Sequence, residues 1–308
     1  MHHKVLLSQH SKAQSAMEYL MTYGWAILII AVVLGALFEL GVFSGTFFMP
    51  HVPPGSCHVF RPYGPGTVGS INLEGECQGA LPQYVAEFDG NGFIASTGYY
   101  SNFPINYGCC YNSGGLQGIT VLIWVNQYGA INHMGGLLFT NEWTQQISAD
   151  TMNGLTLSGT SSNGGWIQDP TTLQSKVWYQ VAITGENGVG EYLYVDGKQV
   201  ANSLNSSFSV LTEPINKQLA DIGADANGEE YSFSGMLSNV QIYNTSLSAN
   251  DIYALYQEGI GGAPINLQNL VGWWPLNGNA DDYSGNNYDG TATNVIYTTN
   301  WENGYTQP

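Results

Sequence analysis

Trp178-Tyr179-Gln180-Val181-Ala182-Ile183-Thr184, followed by Glu191-Tyr192-Leu193-Tyr194-Val195-Asp196-Gly197-Lys198-Gln199-Val200-Ala201, decides the fold class. In the first run Tyr179, Val181 and Ile183 share one face of an extended chain, the period-two pattern of a strand with a buried side. In the second, Asp196-Gly197 tolerates the two positive φ angles of a tight reversal, so neighbouring strands run antiparallel. Upstream, Ile119-Thr120-Val121-Leu122-Ile123-Trp124-Val125, bounded by Gly118 and Asn126, suits a strand buried between two sheets. Downstream, Phe233 to Tyr243 forms another strand. Ser248-Ala249-Asn250-Asp251 then reads as a capping-box start for a short helix over Ile252 to Tyr256, with Gly259 as its stop.

Composition agrees with a mainly β body. Of 308 residues only 9% are charged and 44% are hydrophobic, with 39 glycines spread along the chain. That apolar content is enough for a packed core and excludes disorder over most of the length. Six Lys and Arg stand against 23 Asp and Glu, for a net charge of −17, so no basic surface exists to neutralise phosphates and nucleic acid is excluded as a partner.

The order Trp178 to Ala182, Leu193 to Gly197, Ile222-Gly223, Phe233-Ser234-Gly235, Ile242-Tyr243-Asn244 and Leu247-Ser248 resembles the LamG-like, concanavalin A-like lectin/glucanase family. The resemblance runs from about Gln83 to Gly259 and implies a jelly-roll sandwich. Where the family carries basic residues, this chain has Gln241 and Thr245, a difference expected to alter the surface rather than the fold. Leu270 to Asn287, containing Trp273-Trp274-Pro275, resembles the family's first strand and following loop, displaced to the end. About 38 residues are too few for a second core. Residues 270–308 are therefore expected to supply a permuted first strand to an ectodomain spanning 57–308.

The front of the chain is different. Tyr19 to Phe38 carries no charge, and about 20 helical residues match the roughly 30 Å hydrocarbon layer. Lys4 and Lys12 precede it, which orients the N-terminus inward. Lys12-Ala13-Gln14-Ser15-Ala16-Met17-Glu18 resembles the class III signal peptide of archaeal type IV pilin-like proteins. That resemblance implies a leader over 1–13 in the cytoplasm, cleavage between Ala13 and Gln14 by a prepilin-type peptidase, and a transmembrane helix over 14–49. Glu18 would assist assembly by pairing with the new amino group of a neighbouring pilin-like subunit. The expected location is the cell membrane or a surface filament, with the body outside.

Residues 50–56, rich in proline, are expected to form a stiff linker. Cys57, Cys77, Cys109 and Cys110 follow on the outer side, where disulfides persist. Of three connectivities Cys57–Cys77 is preferred; Cys109 and Cys110 then bridge each other, or both pair outward instead.

Chemistry is sparse. Glu87 and Asp89 share a strand face, yet Gly92 breaks the glucanase pattern they imitate, and no hydrolase or phosphate-binding motif is present. The expected function is a non-catalytic surface adhesin or lectin binding a glycan or protein. A membrane-anchored glycoside hydrolase of the same fold, or a ligand-free structural surface protein, is the alternative. Tyr99, Tyr100, Trp143 and Trp166 are candidates to stack on sugar rings. Calcium is the one cofactor weighed, with Asp282, Ser284 and Asn286 as oxygen donors, and Asn205 and Asn244 head glycosylation sequons.

Overall fold

The computed structural model describes residues 21, 23–39, 49–78, 80–96, 118–129, 135–140, 145–150, 156–161, 165–168, 173–204, 206, 221–224 and 232–308. The chain divides into two compact units, Met1–Met49 and Pro50–Pro308. In the first, residues 23–39 are helical, and Trp25, Ile27, Ile29, Ile30 and Phe38 are exposed. Among the described residues no helix is long and apolar enough to cross a membrane; the expected span also includes Tyr19, Leu20 and Thr22, which lie outside them.

The second unit is mainly β. Its strands are β1 His51–Val52, β2 Cys57–Phe60, β3 Asn72–Gly75, β4 Leu81–Pro82, β5 Val85–Ser96, β6 Gly118–Gln127, β7 Gly135–Thr140, β8 Gln145–Asp150 and β9 Thr156–Ser161. There follow β10 Gly165–Gln168, β11 Trp178–Glu186, β12 Gly190–Val195, β13 Lys198–Leu204, β14 Asp221–Ile222, β15 Ser234–Tyr243, the helix Ala249–Gln257, β16 Leu270–Trp274 and β17 Gly290–Thr298. One sheet runs β10-β9-β8-β7-β14-β5-β15-β6-β11-β12-β13, with β16 on β15 and β17 on β5. It folds over on itself: Ile167 of β10 is buried in the same cluster as Leu193 and Val195 of β12, near the opposite end of that order. Register shifts between Ser238 and Gln241 in β15 and between Thr293 and Val295 in β17 let these strands bend, with Asn239 and Asn294 at positive φ.

The hairpin at Asp196-Gly197 has φ of 49° and 71° at its two residues, and β12 returns as β13. A Cβ at Gly197 would also lie 3.0 Å from the Tyr253 ring and from Tyr256 Cβ, so the helix side chains would have to give way. The helix Ala249–Gln257 starts on a full capping box between Ser248 and Asp251, and Gly259, at φ 80°, follows its end.

β6 is buried along its whole length. Val121, Ile123 and Val125 face the cluster between the layers, whereas Leu122 joins a second cluster with Tyr243, Ile252, Leu255 and Trp273. Its outer face is thus covered by the helix and the chain around it rather than by another sheet. β16 is buried on both sides in the same way, with Trp274 in the first cluster and Trp273 in the second.

Two expectations change. The stretch 50–56 is woven into the body: β1 pairs in parallel with β4, and the carbonyls of Pro50 and Val52 accept from the amides of Leu81 and Gln83 at 3.0 and 3.2 Å. Proline lacks a donor but keeps its acceptor, so one edge of a proline-rich segment can still pair. Gln241 does not alter the surface: it is buried, donating to Asn239 Oδ1 at 3.0 Å and accepting from the Tyr243 hydroxyl at 2.7 Å. The Trp273 indole donates to the same Asn239 oxygen at 2.8 Å, and Asn239 donates to the Gly262 carbonyl, so the row is closed.

Candidate functional site

The surface best equipped for recognition is the β2–β3 hairpin and its connecting loop. Alternation turns Val59 inward, where it is buried, and leaves His58 and Phe60 exposed on β2, with Asn72 and Glu74 opposite them on β3. His58 Nε2 lies 3.7 Å from Glu74 Oε2. The base is tied by the Cys57–Cys77 disulfide, with Cα atoms 4.9 Å apart. Gly75, at φ 99°, lets the Ser56 carbonyl approach so closely that a Cβ would sit 1.8 Å from it.

The loop between the strands is held from beneath by Arg61. This buried guanidinium donates to the carbonyls of Ser284 at 2.9 Å, Leu270 at 3.0 Å and Leu267 at 3.2 Å, and to that of Thr67. Asn286 Oδ1 accepts from the Gly66 amide at 2.8 Å. On this fixed base Tyr63 is 73% exposed, Val68 53% and Phe60 42%. The Tyr63 ring lies over Gly69, where a Cβ would meet it at 3.5 Å. Phe60 shares its hairpin face with Asn72, His58 and Glu74, and the loop adds the Tyr63 ring, so this region offers stacking faces and hydrogen bonds to a polyhydroxyl ligand.

At the hairpin's base lies a cleft of about 600 Å³. Leu73, Ala263, Pro264 and Ile265 give it apolar walls, and Glu76, Gln78 and Glu258 give it polar ones.

The oxygen set chosen for calcium turns elsewhere. Asp282 Oδ1 accepts from the amides of Trp273 at 3.0 Å and Ser284 at 2.9 Å; Oδ2 accepts from the Tyr288 amide at 3.0 Å and the Ser284 hydroxyl at 2.8 Å. Burial pushes this carboxyl above the ordinary aspartate range, and the four donors pull it back. Asn286 donates to the Val271 carbonyl at 2.7 Å. The three side chains thus fasten the loop after β16 to β16 and to the hairpin. Among the described residues no group of three or more His, Cys, Asp or Glu could hold a metal ion.

Glu87 and Asp89 are likewise engaged. Glu87 accepts from the Tyr128 hydroxyl at 2.6 Å, and Asp89 Oδ1 accepts from the Asn91 amide at 2.9 Å. Burial, then the Glu87 carboxylate, holds the Tyr128 phenol well above its ordinary range.

Ala13, Gln14, Glu18, Tyr99, Tyr100, Cys109, Cys110, Trp143 and Asn205 lie outside the described residues. The backbone of Trp166, in β10, pairs with Thr160 of β9. Asn244 is half-buried, its amide donating to the Asn269 carbonyl at 2.9 Å. Sequence reasoning passed over Phe60, Arg61 and Tyr63. The available signal was a lone arginine in a Gly/Pro-rich segment within an acidic chain.

The family described as the concanavalin A-like lectin/glucanases superfamily matches residues 109–253. No curated protein matches the chain. Among solved structures, a candidate carbohydrate-binding protein from Bacteroides ovatus is similar with a TM-score of 0.53 and 16% identity, covering 75% of this chain and 64% of that one. The chain therefore spans somewhat under two thirds of that relative. The heptameric SAP-like pentraxin from Limulus polyphemus aligns at TM-score 0.48 and 14% identity, over 70% of this chain and 94% of that one. The CBM40 of a Ruminococcus gnavus sialidase, solved with sialyllactose, aligns at 0.39 and 18%, over 46% and 83%. Strand order, burial, the family match over residues 109–253 and the likeness to the Bacteroides ovatus protein together give a mainly β sandwich of concanavalin A-like fold.

Proposed function

We propose that the body is a non-catalytic, lectin-like module that binds carbohydrate, displayed at the cell surface by the N-terminal segment. The observation that carries the binding reading is the pinned loop presenting Tyr63 and Phe60. The likeness of the fold to a candidate carbohydrate-binding protein supports it. A platform fixed in advance loses little entropy on binding, which suits a ligand offering only ring faces and hydroxyls. Engagement of Glu87 by Tyr128 and of Asp89 by Asn91 supports a role without hydrolysis. Tyr99, Tyr100, Trp143 and Trp166 remain proposed contributors to the same or a second glycan surface, and calcium a proposed accessory.

The test is a glycan array probed with the full chain in detergent, with and without calcium, followed by titration of any hit. Tyr63→Ala is expected to weaken binding about tenfold, the equivalent of about 1.4 kcal/mol. Silence of the array, or turnover of a glycan, overturns the reading; unchanged affinity in Tyr63→Ala moves the site off this loop. For the N-terminal segment we propose cleavage after Ala13, retention in membrane or filament, and a role for Glu18 in assembly. The resemblance of residues 12–18 supports this, and N-terminal sequencing of the mature protein checks it, with Gln14 the expected first residue.

A further inference from the structure

The outer face of β6 and β11, together with the C-terminal residues over it, carries a group of buried polar atoms that find no hydrogen-bond partner among the described residues. They are Trp124 Nε1, both amide atoms of Gln180, Asn126 Oδ1, Trp301 Nε1 and Gln307 Oε1. Trp124, Asn126 and Gln180 are each 1% exposed, and Trp301 is fully buried. They lie together. Gln180 stands directly opposite Trp124 in the β6–β11 ladder, and Trp178 stands opposite Asn126 two residues along. Positions two apart share a face, so all four side chains rise from one side of the sheet.

Aromatic rings cover them. Tyr256 stacks on Trp124 at 5.9 Å and 17°; Tyr305 meets both Trp124 and Trp301 edge-on at 5.7 Å; Trp301 meets Trp178 at 6.3 Å. The final residues close the top. The Gly304 carbonyl accepts from the Trp178 amide at 3.0 Å, the Trp301 carbonyl from the Trp178 indole at 2.8 Å, and the Tyr305 hydroxyl from the Ile260 amide at 3.2 Å.

A buried amide with neither end bonded costs about 1–3 kcal/mol for each unsatisfied group, and these atoms would carry that penalty side by side. Their chemistry is mixed, with indole and amide N–H donors beside the amide oxygens of Gln180 and Asn126. Water matches such a set, because each molecule both donates and accepts and makes about three bonds. A dry apolar void lacks these groups. We propose that β6, β11 and the C-terminal residues enclose a site for a small cluster of ordered water, about two molecules bridging Trp124, Gln180, Asn126 and Trp301. The tail is then held against the sheet partly through solvent, and Gln180 is the hub.

The eight tryptophans supply their own controls. In the full chain, held in micelles and labelled with ¹⁵N-tryptophan, the indole protons of Trp124 and Trp301 are expected to show cross-peaks to long-lived water, with NOE opposite in sign to ROE. The indoles of Trp178 and Trp274 donate to the carbonyls of Trp301 and Tyr288 and are expected to show none. Absence of water cross-peaks at both Trp124 and Trp301 overturns the proposal. Gln180→Met gives an independent reading by melting temperature. Loss of the hub is expected to lower it by roughly 2–4 °C; a rise of that size means the amide was truly unsatisfied, and sinks the idea.

Discussion

The two faces of β6 are built on different principles. Inward, Val121, Ile123 and Val125 meet Ile183, Leu237 and Trp274 in an apolar layer that specifies little beyond volume. Outward, Leu122, Trp124 and Asn126 lie under a covering assembled from distant pieces of chain. Single polar residues fix its arrangement: Arg61 to Leu267, Leu270 and Ser284, Asp282 to Trp273 and Tyr288, Asn239 to Gly262 and Trp273. The comparison teaches that the sandwich is held by burial, whereas the covering that carries the candidate site is held by hydrogen bonds of specific geometry. Candidate recognition groups therefore stand on the side where one polar substitution matters most.

The largest way to break both faces together is alkali. Burial, the largest cause in each case, raises the phenols of Tyr128, Tyr194, Tyr243, Tyr256, Tyr283, Tyr297 and Tyr305, the last to about 12. A folded-state pKa above the unfolded value of about 10 means that the folded form holds the proton more tightly. This stability is complete below about pH 10 and is lost as pH climbs through the folded values. Tyrosinate absorbance and circular dichroism are expected to change together above pH 10, with these tyrosines ionising as the fold is lost. Titration of all 20 tyrosines near pH 10 with an unchanged fold contradicts this. Acid acts in the opposite sense through Asp196 and Asp282, whose raised values favour the folded, protonated form as pH falls toward 4.

Next is the inner face. Trp274 is fully buried, its indole donating to the Tyr288 carbonyl at 2.9 Å. Trp274→Ala is expected to destabilise by about 4 kcal/mol, through a cavity and an orphaned carbonyl. Denaturant unfolding measures it, and a loss under 2 kcal/mol would mean that β16 is peripheral to the core.

Asp282→Ala probes the outer covering. It removes no large apolar volume but strips acceptors from the amides of Trp273, Ser284 and Tyr288. About 3 kcal/mol is expected, close to the tryptophan cavity despite the far smaller side chain. If glycan binding through Tyr63 is correct, this variant also weakens binding at temperatures where the sandwich is intact, because the loop beneath Tyr63 rests on the same segment. A variant that loses stability without losing affinity would separate the covering from the site.

Legibility in the sequence follows the same division. Strand alternation, the Asp196-Gly197 reversal and the Ser248–Asp251 box were readable because each depends on neighbours a few residues apart. Arg61 was not, since its acceptors Leu267, Leu270 and Ser284 lie more than 200 residues away. Asp282 reads in sequence as an oxygen donor suited to a cation; only the fold brings the Trp273 and Tyr288 amides to it. The proline-rich stretch reads as a linker because missing donors are visible in sequence and a partner for the remaining carbonyls is not. Tyr63 and Phe60 escaped for a related reason: exposure on a rigid loop is a product of the buried arginine, and a Gly/Pro-rich context alone suggests only a turn.

The smallest expected effect sharpens the contrast. Ile123→Val removes one methylene from a fully buried position between the layers, where Val181 stands opposite across the β6–β11 ladder. A loss of about 1 kcal/mol is expected, with no change in binding, because an aliphatic layer asks mainly for volume and can partly relax. Gln241→Leu is the partner experiment on the other side. Its volume is similar, yet it leaves the Tyr243 hydroxyl without an acceptor and removes one donor from Asn239, so the loss should exceed that of the valine variant by roughly 1–2 kcal/mol. Equal losses, read from paired denaturant curves with unchanged slopes, would mean that the row from Tyr243 to Asn239 contributes volume only. The distinction between a face specified by burial and a face specified by hydrogen bonds would then fail where it is most directly measurable.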